Sequence, residues 1–157
     1  MKKRIYIETS FVSYLTNPIS RDLVLAAHQE ISQEWWRKKR KGYLLLSSSL
    51  THKEASEGNP ECARKRIEIL SEIGLVEITQ EAIDFSKELI KLAIIPDKAN
   101  HDALHIAIAT VNHVDFLLTW NCRHIANAII QKKIAKVAKA LGHETPYICT
   151  PIELMGE

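Results

Sequence analysis

Five short apolar runs, each separated from the next by a stretch of helical periodicity, constrain this chain more than any other feature. They are Ile5-Tyr6-Ile7, Tyr43-Leu44-Leu45-Leu46-Ser47, Leu75-Val76-Glu77-Ile78, Phe116-Leu117-Leu118-Thr119 and Tyr147-Ile148-Cys149. A strand that shows little alternation is apolar on both faces, and such a strand must be covered on both. Strands alternating with helices supply that cover from the crossovers of a parallel sheet. The expected fold is therefore α/β: a three-layer α/β/α arrangement around a central parallel sheet of about five strands. With 157 residues, a single domain over residues 1–157 is expected.

The intervening segments carry helix start and stop signals. Phe11 to Leu15 has room for one or two turns before Asn17-Pro18. Ser20 reads as the cap of a long helix over residues 21–41, with Leu23, Ala27, Ile31 and Trp35 as its apolar stripe and Gly42 as its stop. Leu50 to Glu57 is expected to be helical. Asn59-Pro60 is a matched cap and first-turn pair, opening a helix with Ala63, Ile67 and Leu70 on one face and Gly74 as its end. Thr79 can cap a helix from Gln80 to about Ala93. Asn100 to Thr110 follows, with almost no solvent face beyond its first turn. The last helix is expected over residues 123–141, capped by Asn121 and buried through Ile125, Ile129, Ile130, Ile134, Val137 and Leu141.

Composition narrows the classes of function. Apolar content of 46% and charged content of 25% are ordinary for a soluble globular chain. A net charge of +2 makes no case for nucleic acid or membrane by itself. Cys62, Cys122 and Cys149 lack paired spacing and build neither a disulfide framework nor a CxxC metal site. Glu8 interrupts the apolar run after the basic start, so no secretory leader is expected, and no run approaches a membrane span. The expected location is cytoplasmic, with no membrane partner.

In a parallel α/β sheet, ligand sites collect beyond the carboxyl ends of the strands. Glu8 follows the first strand directly, and Asn121 follows the fourth by one residue. Asp102 opens a helix that must descend to the start of the fourth strand. A helix of about 12 residues spans roughly 18 Å and a strand of five about 17 Å, which sets Asp102 level with the same edge. Glu54 reaches that edge only if its helix crosses the top of the sheet. Three carboxylates packed closely repel one another, and a hard divalent cation removes the conflict. Oxygen-only ligation favours Mg²⁺ or Mn²⁺ over zinc.

The pieces Ile5-Tyr6-Ile7-Glu8-Thr9-Ser10, Ser47 to Glu54, Asp102-Ala103-Leu104-His105-Ile106-Ala107 and Leu117-Leu118-Thr119-Trp120-Asn121 resemble, in order and spacing, the PIN-domain nucleases. Among these the chain is similar to the toxins of VapC-type toxin–antitoxin pairs. The resemblance implies a Mg²⁺- or Mn²⁺-dependent endoribonuclease that hydrolyses RNA phosphodiesters with a metal-activated water. It also implies a homodimer and a small antitoxin partner. By that likeness Glu8, Glu54 and Asp102 are the metal-site acids, and Asn121 is the fourth catalytic position. The chain departs from the pattern twice. Glu8 stands where the family usually has Asp, which moves the carboxylate by about 1.5 Å. Asn121 stands where an acid is frequent.

Rival readings attach to the same residues. His101 and His105 are an i, i+4 pair that could grip zinc with Glu8, but a zincin places its Glu next to the first His, and here that position is Asp102. Thr9, Ser10 and Thr119 are either turn formers or hydrogen-bonding supports for the carboxylates. Trp35-Trp36-Arg37-Lys38-Lys39-Arg40-Lys41 could bind RNA by charge and stacking, or it is a solvated helix end whose charge suits the dipole. The departures at Glu8 and Asn121 motivate an alternative function: a catalytically weakened PIN-fold module that binds RNA or a protein partner.

Overall fold

The structure, a computed structural model, describes residues 1–156. The described residues form five strands: β1 (Lys3–Ile7), β2 (Tyr43–Ser47), β3 (Gly74–Leu75), β4 (Phe116–Leu118) and β5 (Tyr147–Cys149). They lie in the order β3-β2-β1-β4-β5, and every neighbouring pair is parallel. The first strand is thus the central one. Chain direction fans out from it, to β2 and β3 on one side and to β4 and β5 on the other. The point where the winding reverses lies between β1 and β4, at their carboxyl ends.

Among the described residues seven α-helices cover the sheet: α1 (Thr9–Thr16), α2 (Leu23–Lys38), α3 (Ser49–Ala55), α4 (Pro60–Ser71), α5 (Gln80–Lys91), α6 (Asn100–Val111) and α7 (Ala128–Ala140). Alternation along β1 assigns the two cores. Ile5 and Ile7 point into one, with Phe11, Val12, Trp35 and Leu70 from α1, α2 and α4. Tyr6 points into the other, with Phe85, Leu89, Ile106, Ile108 and Ile134 from α5, α6 and α7. All three β1 residues are fully buried, as a central strand covered on both faces requires.

Helix faces depart from expectation in α2 and α7. In α2 the cap is Asp22, which accepts from Leu25 N at 3.0 Å, while Ser20 Oγ accepts from Asp22 N. Leu23 and Ala27 are exposed, and the buried line is Gln29, Ser32 and Trp35. Polar closure sets this rotation. The Gln29 amide donates to Asn17 O and Pro18 O and accepts from Ser20 N, tying down the turn between α1 and α2. The last helix begins at Ala128, not near residue 123, with Asn127 Oδ1 accepting from Ile129 N. Residues 122–125 are turns instead, because Asn121 Oδ1 accepts from both Arg123 N and His124 N. Ile129 and Leu141 consequently face solvent, and Ile134 and Ala138 carry the burial. Gly74 does not stop α4 but starts β3, which is two residues long at the sheet edge.

The caps at Asn59 and Thr79 are formed as the sequence indicates. No helix among the described residues is long and apolar enough to cross a membrane. The two isoleucines at positions 106 and 129 separate buried from exposed helix faces. Ile106→Ala should cost about 2–5 kcal/mol in urea unfolding, as for other fully buried aliphatics. Ile129→Ala should stay within about 0.5 kcal/mol of the parent protein.

Candidate metal centre at the carboxyl edge of the sheet

Glu8 leaves β1 at the reversal point. Its backbone still belongs to the sheet, with Glu8 N donating to Leu118 O at 3.1 Å, and its side chain caps α1. The carboxylate is buried and takes three donors on one oxygen, Oε2. These are Ser10 N at 3.1 Å, the Ser10 hydroxyl, and Thr119 Oγ1 at 2.7 Å. Both hydroxyls have their lone pairs engaged from outside. Trp120 N donates to Ser10 Oγ and Asn121 N donates to Thr119 Oγ1, so each hydroxyl proton is left for Glu8. With all three donors on Oε2, Oε1 keeps its lone pairs for a ligand.

Glu54 comes from the other side. Helix α3 leaves β2 and crosses the edge of the sheet, which brings Glu54 beside the start of α1. Thr9 Oγ1 donates to its Oε1 at 2.6 Å. Two imidazoles from α6 complete its surroundings: His105 Nε2 lies 2.6 Å from Oε1 and His101 Nδ1 3.5 Å from Oε2. The i, i+4 histidine pair therefore grips a carboxylate. The buried Arg66 of α4 holds the far end of this short helix, donating to Ala55 O at 2.9 Å and Glu57 O at 2.6 Å. These carbonyls would otherwise lack partners at the helix end.

His105 is completely buried and bonded at both nitrogens, with Nδ1 2.8 Å from the Tyr6 hydroxyl oxygen. That hydroxyl is also 2.8 Å from Ser48 Oγ and 3.3 Å from Thr51 Oγ1. Burial works against the imidazolium, but the Tyr6 oxygen, the Glu54 hydrogen bond and the Glu8 and Glu54 charges outweigh it, and the pKa rises to about 10. For Glu54, burial works to raise the pKa, yet the hydrogen bond and charge of His105, with Thr9 and His101, hold it below 4.5.

One atom each from Glu8, Glu54 and His105 lie within 4.8 Å of one another, the one such group of potential ligands found among the described residues. Two of the four positions singled out in the sequence thus meet, and a histidine joins them. Asp102 and Asn121 are placed at the same edge but on a different partner. Asp102 Oδ2 lies 3.1 Å from His124 Nδ1, and Asn121 Oδ1 accepts from the His124 backbone. The i, i+4 spacing of His101 and His105 singles out the pair but not the carboxylate it grips, and His124 carries no such spacing. The partners of His105 and His124 are 51 and 22 residues away in the chain. Thr9, Ser10 and Thr119 all act as carboxylate supports.

Two other features lie apart from this edge. The cations around Arg40 precede β2 and so sit at the amino edge of the sheet. Trp35 there is fully buried and Trp36 is covered by the Arg40 guanidinium at 4.6 Å. A cavity of about 670 Å³ between α7 and β5 is lined by Gln131, Lys132, Lys139, His143 and Tyr147, with none of the carboxylate group.

No described sequence family and no curated protein matches the chain. Solved structures do. A chain of the VapBC2 complex of Rickettsia felis, bound to a DNA fragment from its promoter, superposes with a TM-score of 0.58 at 16% identity, covering 94% of this chain and 98% of that one. VapC20 of Mycobacterium tuberculosis, a toxin that cleaves the sarcin-ricin loop, gives a TM-score of 0.54 at 15% identity, covering 76% and 92%. The chain has the fold of the VapC-type PIN domains. The PIN-like sheet of this chain gathers its carboxylates at the reversal point, where Glu8, Thr119 and the start of α1 meet.

The Glu54–His105 pair fixes how the metal-free protein responds to pH. The raised His105 pKa stabilises the fold fully below 6.5, and that contribution is lost as pH climbs through about 10. The lowered Glu54 pKa stabilises above 4.5, and that part is lost as pH falls through the folded-state value. Urea unfolding in chelator should show stability declining from pH 6.5 to about 10. His105→Gln should flatten that decline; an equally steep decline in the variant would remove the pair as its cause.

Proposed function

We propose that the chain is a metal-dependent endoribonuclease of PIN type, the toxin of a type II toxin–antitoxin pair. One observation carries the reading. Two carboxylates from elements far apart in sequence, Glu8 after β1 and Glu54 in α3, converge with a buried imidazole at the reversal point of a parallel sheet. The structural likeness to VapC20 and to the VapBC2 complex supports RNA as substrate and a small antitoxin as partner. In this reading the protein works in the cytoplasm as a homodimer.

The donor set suits a divalent cation. Side-by-side carboxylates need positive charge, and the protein's own groups offer it through the imidazoles of His105 and His101. Mg²⁺ or Mn²⁺ at this place, once bound, supplies charge that acidifies a water and neutralises a phosphodiester under attack. Glu8 and Glu54 hold the ion, with Asp102 completing the acidic edge. The Ser10 and Thr119 hydroxyls fix the Glu8 rotamer, and Thr9 fixes that of Glu54. His124, aligned by Asp102 and Asn121, presents an imidazole at the rim of the same edge. Asn121 acts through that turn, so its role is to shape the edge and position water.

A second reading rests on the amide at position 121. Its oxygen is engaged by two backbone N–H groups, and the edge holds one charge fewer than a four-acid site. A weakened centre would leave a PIN-fold module that binds RNA or a protein partner without cutting. Purified protein should cleave RNA with Mg²⁺ or Mn²⁺ and stop in chelator. Glu8→Gln, Glu54→Gln and Asp102→Asn should each lose about 100-fold or more in rate, given the several kcal/mol of charge stabilisation that such an ion supplies. Retained RNA binding without metal-dependent turnover would establish the second reading. Asp102→Asn at the parent rate would remove Asp102 from the site.

A further inference from the structure

His105 has a place in the site that the four carboxylate and amide positions do not explain. It is fully buried, it comes from the helix that also carries Asp102, and its Nε2 is aimed into the space between Glu8 and Glu54. Its other nitrogen is committed to the Tyr6 oxygen at 2.8 Å. Tyr6 can pass its own proton to Ser48 Oγ at 2.8 Å and accept from Nδ1–H. With Nδ1 held at the Tyr6 oxygen, Nε2 is the nitrogen turned to Glu54 Oε1, 2.6 Å away. The arrangement of a buried imidazole held at its far nitrogen by a hydrogen-bond acceptor is the one that metal-ligating histidines adopt.

We infer that His105 Nε2 is a direct ligand of the divalent cation, with Glu8 and Glu54, in a mixed nitrogen–oxygen centre that prefers Mn²⁺ to Mg²⁺. The inference rests on the metal-dependent reading above. Binding through Nε2 requires that nitrogen's lone pair, so any proton it carries leaves to solvent as the metal bond forms. A nitrogen donor favours later first-row ions over Mg²⁺, which takes oxygen ligands almost alone. Ligand atoms each about 2.1 Å from one ion lie at most about 4.2 Å apart. The group, already within 4.8 Å, needs only small side-chain adjustments to close.

The test uses the full chain, freed of metal and then loaded with Mn²⁺. Pulsed electron paramagnetic resonance on protein made with ¹⁴N or ¹⁵N histidine reads any nitrogen bonded to the ion. A histidine coupling is expected in the parent protein, in His101→Ala and in His124→Ala, and its loss in His105→Gln. Calorimetry should show Mn²⁺ bound more tightly than Mg²⁺, with the ratio falling about 10-fold or more in His105→Gln. Tyr6→Phe keeps the ring in the core and removes the Nδ1 partner together with its bonds to Ser48 and Thr51. It should weaken Mn²⁺ binding about 10-fold while the nitrogen coupling persists, which covers the case of a His105 variant that does not fold. Mn²⁺ bound without any nitrogen coupling overturns the inference and leaves a carboxylate-held nuclease centre standing. A coupling that vanishes in His101→Ala or His124→Ala instead assigns the nitrogen elsewhere and overturns it too. Absence of Mn²⁺ binding removes both this inference and the nuclease reading.

Discussion

Glu8 and Glu54 are two carboxylates brought together in a partly dehydrated space, where like charges repel and nearby positive charge relieves the repulsion. Much of the carboxyl edge of this molecule is arranged around that requirement. His105 supplies the charge from below, and Tyr6, Ser48 and Thr51 hold His105 in place from within the core. Thr9, Ser10 and Thr119 supply hydroxyl donors from the rim. Even the central strand takes part: Tyr6 is a core residue by burial and a polar one by its hydroxyl, so one side chain joins the packing of the sheet to the electrostatics of the site.

The sheet's winding explains where this happens. Reversal between β1 and β4 leaves a crevice that neither neighbouring crossover covers. Glu8 N completes the ladder to Leu118 O while its side chain turns into the crevice. One residue thus belongs to both the fold and the site, and its position is fixed with the accuracy of a strand register.

Much of this architecture is legible in the amino-acid sequence, and the illegible part has a common cause. Apolar runs such as Ile5-Tyr6-Ile7 announce a strand buried on both faces, and Asn59-Pro60 or Thr79 announce a helix start through bonds made a few residues away. Edge placement of Glu8 and Asp102 follows from the position of Glu8 after its strand and from element length. The misread features depend on contacts between distant segments. Leu23 and Ala27 lose the buried face of α2 because Gln29 closes a turn with Asn17, Pro18 and Ser20. The start of the last helix moves to Ala128 because Asn121 caps a turn that a local reading takes for helix. His105 reads only as half of an i, i+4 pair with His101, since nothing near it in the chain points to Glu54 or Tyr6.

Arg66 gives the site a mechanical character. Glu54 stands on a helix of seven residues, too short to persist by its own hydrogen bonds. Its last carbonyls are held by a guanidinium that reaches over from α4. The two carboxylates are therefore anchored with unequal stiffness. Glu8 is as rigid as the middle of the sheet, whereas Glu54 is as rigid as a peripheral clamp. A local opening that releases α3 would therefore carry Glu54 away while Glu8 stayed in the sheet, so the centre can be lost from one side alone.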